Sequence, residues 1–107
     1  MNKHSNELYE LRARIAKALA HPSRLRVLDA LRERELSVGE LTKLVGSDQS
    51  TVSKHLSILR EVGFLRVRKE GTQSLYSVKC QCLDGFFQCI ESVLRQNLAE
   101  QQALVEL

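Results

Sequence analysis

Ser37-Val38-Gly39-Glu40-Leu41-Thr42-Lys43-Leu44-Val45-Gly46-Ser47-Asp48-Gln49-Ser50-Thr51-Val52-Ser53-Lys54-His55-Leu56 is the stretch that decides the fold. Ser37 and Glu40 have capping-box spacing: the hydroxyl accepts from the Glu40 amide while the carboxylate reaches back to the Ser37 amide. A short helix follows through Leu41, Leu44 and Val45 and stops at Gly46. Ser47 or Asp48 then caps a second helix, over about 49–62, with Val52, Leu56, Leu59 and Val62 as its apolar face and Gly63 as its stop. Two short helices across a tight turn containing glycine have helix-turn-helix spacing.

Upstream, Leu8, Leu11, Ile15, Ala18 and Leu19 recur at helical intervals up to Ala20. His21-Pro22-Ser23 interrupts that helix, because proline disfavours helical geometry in the residue before it and suits a new first turn. Leu25, Val27, Leu28 and Leu31 carry the next helix to about Arg34. Downstream of Gly63 the period drops to two: Leu65, Val67 and Lys69 alternate with Arg66, Arg68 and Glu70. Leu75-Tyr76-Ser77-Val78 is a second strand, and Glu70-Gly71-Thr72 is the turn of a hairpin wing over about 65–78. Helical spacing returns through Phe86, Phe87, Ile90, Val93, Leu94 and Leu98, giving a C-terminal helix over about 84–103. The expected fold is mainly α with a small β-hairpin, a winged helix-turn-helix in the order α-α-α-α-β-β-α. It fills residues 1–107 as a single domain.

The size of the chain agrees with that reading. At 107 residues and 43% hydrophobic content it has room for one core. A chain this short buries only about 60–70% of its unfolded surface, which favours completion by a second copy. Eighteen leucines, no tryptophan and few other aromatic residues favour helices over a β-sandwich. No apolar run reaches the ~18 residues of a membrane span and no signal peptide opens the chain, so the expectation is a cytoplasmic protein without a membrane partner.

The net charge of +3 is unevenly spread. Residues 64–79 hold four basic and one acidic side chain, while residues 80–107 hold one and four. The basic excess therefore falls on the wing, at Arg66, Arg68, Lys69 and Lys79, where a phosphate-binding surface is expected. The exposed face of the fourth helix is expected to carry Gln49, Ser50, Thr51, Ser53, Lys54 and His55. A recognition helix enters the major groove N-terminus first, and Gln49 can read adenine through a bidentate pair. On an isolated helix such residues would be an ordinary solvent face. Between a capped short helix and a basic hairpin they point to double-stranded operator DNA, with Arg66, Arg68 and Lys69 on flanking phosphates.

Three stretches carry a family resemblance: Lys17-Ala18-Leu19-Ala20-His21-Pro22-Ser23-Arg24-Leu25-Arg26-Val27-Leu28, Ser37-Val38-Gly39-Glu40-Leu41, and Gln49-Ser50-Thr51-Val52-Ser53-Lys54-His55-Leu56. With Gly63, Leu65, Val67, Gly71 and Tyr76, they make roughly residues 12–95 resemble the ArsR/SmtB family of bacterial repressors. The resemblance implies a homodimer joined by its first and last helices, bound to an imperfect inverted repeat and released by an inducer. Terminal helices rich in leucine suit such an interface independently, since their stripes would be too exposed on a monomer.

Cys80, Cys82 and Cys89 fall within ten residues, and an odd count in a cytoplasmic chain argues against a structural disulfide framework. The family's other ligand positions are vacant here. Ser37 and Gly39 stand where its thiolate sensors often carry cysteine, and the last helix has no histidine for a zinc-type site. Cys80, Cys82 and Cys89 thus form the expected metal site, suited to arsenic(III) or antimony(III) as inducer, with other thiophilic metals possible. Cys82 and Cys89 would stand about 10 Å apart on one helix, so the site requires the helix to start after Cys82, with Asp84 as N-cap. The helix N-terminus and Lys79 would favour thiolate. A redox- or persulfide-responsive repressor using the same cysteines, switching through Cys80 or Cys82 and Cys89, is the alternative, and Cys89 can also be plain core.

Two other classes remain. A small enzyme is disfavoured: there is no Ser-His-Asp order in a suitable context, no phosphate-binding glycine loop and no thioredoxin-like Cys-x-x-Cys, and no small organic substrate is expected. A winged-helix protein-interaction module without an effector differs from a DNA binder in salt dependence, which is steep only for the latter.

Overall fold

The computed structural model describes residues 5–106. Five helices and three strands follow one another as α1 (Asn6–Leu19), α2 (Pro22–Leu31), β1 (Leu36–Ser37), α3 (Val38–Val45), α4 (Gln49–Glu61), β2 (Leu65–Glu70), β3 (Gln73–Val78) and α5 (Leu83–Val105). This is the expected winged helix-turn-helix order with one addition, β1. Its two residues pair antiparallel with β3, Leu36 opposite Tyr76 and Ser37 opposite Leu75, in a sheet ordered β1-β3-β2. So short a strand has no periodicity of its own and exists only because β3 offers it an edge.

Local chemistry sets most boundaries. Ser5 caps α1 by accepting from the Leu8 amide, and His21 caps α2 through Nδ1, which accepts from the Ser23 amide at 3.1 Å, with Pro22 in the first turn. The capping box of α3 is complete: the Glu40 amide donates to Ser37 Oγ at 3.2 Å and the Ser37 amide to Glu40 Oε1 at 3.0 Å. These bonds hold the Glu40 carboxyl below the usual carboxylate range. Gly46 ends α3 at φ 78°, a left-handed conformation that costs a side-chain-bearing residue roughly 1–2 kcal/mol. Asp48, not Ser47, caps α4.

The core lies where α2, α3 and α4 meet the sheet. Val27, Leu28, Leu31, Leu41, Val52, Leu56, Leu59, Phe64 and Leu65 are buried in one cluster, which Leu83 joins from the start of α5. The packing stops there. Beyond the half-buried Phe86 and Phe87, the described residues of α5 are exposed, including Val93, Leu94 and Leu98; Leu98 stands 62% accessible. Leu11 and Ile15 on α1 are exposed as well. Among the described residues no helix is long and apolar enough to cross a membrane.

Candidate nucleic-acid interface

The turn between α3 and α4 presents the first half of α4 to solvent. Asp48 accepts from the Thr51 amide at 2.8 Å and from the Ser50 hydroxyl at 3.2 Å. The Thr51 side chain, then its amide, holds the Asp48 carboxyl below its ordinary range, so the cap stays charged at neutral pH. Gln49, Ser50, Thr51 and Lys54 are exposed and Ser53 is half-buried. Gln49 also lines a polar groove of about 260 Å³ with Ser37, Val38, Gly39, Thr72, Gln73 and Ser74. The start of the recognition helix and the tip of the wing therefore share one concave surface.

His55 does not lie on that surface. It is buried, and its Nδ1 accepts from Arg24 Nε at 3.1 Å while its ring sits 4.5 Å from that of His21. Burial, then the nearby His21 and Arg24, hold the imidazole below the ordinary histidine range, so it is neutral at physiological pH. The expectation that His55 stands on the exposed face of the helix is corrected. Val52, His55, Leu56 and Leu59 follow i, i+3, i+4, i+7 spacing, which places position 55 on the inward stripe. That spacing was the missed signal.

The wing cations are not one patch. Alternation along β2 puts Arg66 and Arg68 on one face and Lys69 on the other, and all three are exposed. Arg68 is occupied: Nη2 lies 2.6 Å from Glu35 Oε1 and 2.8 Å from Glu70 Oε2, while Nε donates to Glu35 Oε2 at 2.8 Å. Hydrogen bonds to Glu35, then Glu70, raise its pKa, and Arg68 in turn holds the Glu35 carboxyl below its usual range. Any phosphate reaching Arg68 must compete with two carboxylates.

The cysteines are arranged otherwise than expected. Cys80 and Cys82 are joined by a disulfide with their Cα atoms 5.4 Å apart, which corrects the expectation that a switch would pair one of them with Cys89. The turn through Gln81 and Cys82, with Cys82 already in the right-handed helical region, brings the pair within normal bridging distance. Cys89 is free and exposed on α5. Among the described residues no group of three His, Cys, Asp or Glu side chains could hold a metal ion, so the three sulfurs are not assembled. Asp84 is not the N-cap of α5 either. Cys82 holds that position without a side-chain cap, and Asp84 accepts instead from Arg32 at 2.8 Å.

Comparison with known proteins agrees with this geometry. A helix-turn-helix domain family matches residues 19–68. The chain is 37% identical over 103 residues to the HTH-type transcriptional regulator Rv0081 of Mycobacterium tuberculosis, covering 95% of this chain and 90% of that protein. The chain belongs to the helix-turn-helix transcriptional regulators. The crystal structure of Rv0081 superposes on the regulator with a TM-score of 0.82, over 91% of this chain and 98% of that one. The homodimeric winged helix-turn-helix domain of Mb0332 from Mycobacterium bovis, a possible ArsR-family regulator, gives a TM-score of 0.76 at 29% identity over 94% and 95% of the two chains. The repressor BigR from Xylella fastidiosa gives 0.69 at 32% identity over 83% and 95%. These relatives are consistent with the ArsR/SmtB resemblance of residues 12–95, and they are regulators rather than enzymes.

Proposed function

We propose that the regulator is a homodimeric repressor that binds operator DNA through α4 and the wing and is released when its cysteines react. The observation that carries the DNA-binding reading is the exposed Gln49, Ser50, Thr51 and Lys54 face beside the groove shared with Thr72, Gln73 and Ser74. The half-exposed apolar stripes of α1 and α5 support the dimer, since they would be a large apolar surface on a monomer. Homodimeric Mb0332, similar over nearly the whole chain, supports the same reading.

For the inducer, the joined Cys80 and Cys82 favour the redox reading over the three-thiolate one. Two thiols give up two protons and two electrons to a peroxide, which leaves as water, and the bridge fixes the segment between β3 and α5. Cys80 packs against the core, and Arg32 ties the first turn of α5 to α2, so a change at the cysteines reaches the helix-turn-helix unit. A coupling of ~1–3 kcal/mol is typical of such switches. Arsenic(III) or antimony(III) at Cys80, Cys82 and Cys89 is the second reading, favoured by the close approach of the first two. It requires the bridge reduced and Cys89 brought in.

Operator binding measured with peroxide, polysulfide and arsenite, on wild type and on Cys80→Ser, Cys82→Ser and Cys89→Ser, separates the readings. Under the redox reading peroxide releases DNA from wild type and Cys89→Ser but not from the other two. If Cys89→Ser abolishes release by arsenite and peroxide has no effect on wild type, the metalloid reading replaces it. A wild-type protein that binds no duplex DNA would overturn the repressor assignment.

A further inference from the structure

The buried His55 orients a cation that lies outside the expected DNA-reading set. Arg24, in the first turn of α2, donates through Nε to His55 Nδ1 at 3.1 Å and through Nη1 to the Ala18 carbonyl at 3.4 Å. A guanidinium has five N–H donors, so three remain for another partner. Arg24 lines a cleft of about 360 Å³ together with Ser50, Thr51, Lys54, His55 and Ile58, directly beside the exposed half of α4. The lining holds two cations, two hydroxyls and no carboxylate. Among the described residues neither Arg24 nor Lys54 is ion-paired, whereas Arg68 on the wing is held by Glu35 and Glu70.

We propose that this cleft is a binding site for a DNA backbone phosphate, with Arg24 and Lys54 as its cationic contacts and His55 as the residue that positions Arg24. The site rests on the DNA-binding reading above and deepens it. A planar guanidinium with free N–H groups matches the oxygens of a phosphate, and the nearby start of α4 adds amides and a favourable dipole. The Ser50 and Thr51 hydroxyls are both engaged by Asp48, so the two cations carry the contact. His55 contributes by geometry: its neutral Nδ1 fixes the Arg24 stem, so less side-chain freedom is lost when the phosphate arrives. A contact of this kind sets the register of the recognition helix without reading sequence.

The test uses the full-length protein, a duplex that the wild type selects from a random-sequence pool, and an unselected duplex of equal length, each titrated across a salt series. Arg24→Gln should weaken binding to both duplexes alike and lower the slope of log K against log salt by about 0.9. His55→Leu, which removes the acceptor, should lose affinity in the same way. His55→Asn, whose side-chain oxygen stands where Nδ1 stood, should restore it. Adding His55→Leu to Arg24→Gln should cost nothing further, with thermal melting confirming that each variant is folded. An unchanged salt slope in folded Arg24→Gln, or full additivity in the double variant, overturns the site while wild-type binding leaves the DNA reading intact. A wild type that selects no duplex removes both.

Discussion

Arg32 donates through Nε to Asp84 at 2.8 Å and through Nη1 to Asp29 at 2.8 Å, while its guanidinium carbon lies 4.7 Å from the centre of the Phe87 ring. One side chain thus joins α2 to the first turns of α5, immediately after the cysteine bridge. Hydrogen bonds to Asp84, opposed by burial and aided by Asp29, raise the Arg32 pKa, so the guanidinium stays charged.

Arg32→Met keeps an apolar stem against Phe87 and deletes both ion pairs. Amide exchange in the first turn of α5 should accelerate while protection in α3 and α4 is retained. Operator affinity of the reduced protein should hold, but its change on oxidation should shrink. Unchanged exchange at Asp84 and its neighbours would show that the ion pair does not anchor the helix.

Ser37 caps α3 and also pairs with β3, so it serves two elements. Ser37→Ala should lower the unfolding free energy by ~0.5–2 kcal/mol, the usual loss for an N-cap, read by urea denaturation with an unchanged m-value. A loss well below that range would mean that water replaces the hydroxyl at the Glu40 amide.

His55 predicts a pH dependence with a definite sign. Its folded pKa lies below the ordinary value of 6.5, so the unfolded chain binds a proton first as pH falls. The stability that the neutral residue supplies is complete above pH 6.5, declines below it, and levels off once the folded imidazole is protonated too. His55→Asn should flatten that slope in denaturation measured across the range. A slope that persists in the variant would assign the effect to other groups.

Leu98 on α5 and Ile15 on α1 are exposed in the single chain, 62% and 44% accessible. Leu98→Glu should yield a monomer in sedimentation experiments. Losing the second half-site contact should weaken operator binding by at least about 100-fold, the low end of what linked binding modules gain. A variant that remains dimeric would place the interface elsewhere.

Much of this architecture is carried by local chemistry and is readable along the chain. The Ser37–Glu40 box, the glycine at position 46, the switch to two-residue alternation at Leu65 and the turn at Gly71 each depend on residues within a few positions of one another. The α4 face at Gln49, Ser50, Thr51 and Lys54 was legible for the same reason: helical spacing alone turns those residues away from Val52, Leu56 and Leu59. The remainder depends on which elements meet. β1 pairs Leu36 with Tyr76, His55 finds Arg24 thirty-one residues away, and Arg68 is neutralised by Glu35 from another segment. None of these partners has a spacing that marks it, because pairing is set by the packed surfaces rather than by the order of residues; only the inward position of His55 was marked, by its helical spacing from Val52, Leu56 and Leu59. The cysteines show a similar division: their clustering was visible in the chain, but the local turn at Gln81 and Cys82 joined Cys80 to Cys82, and the helix that starts at Leu83 carries Cys89 apart from them.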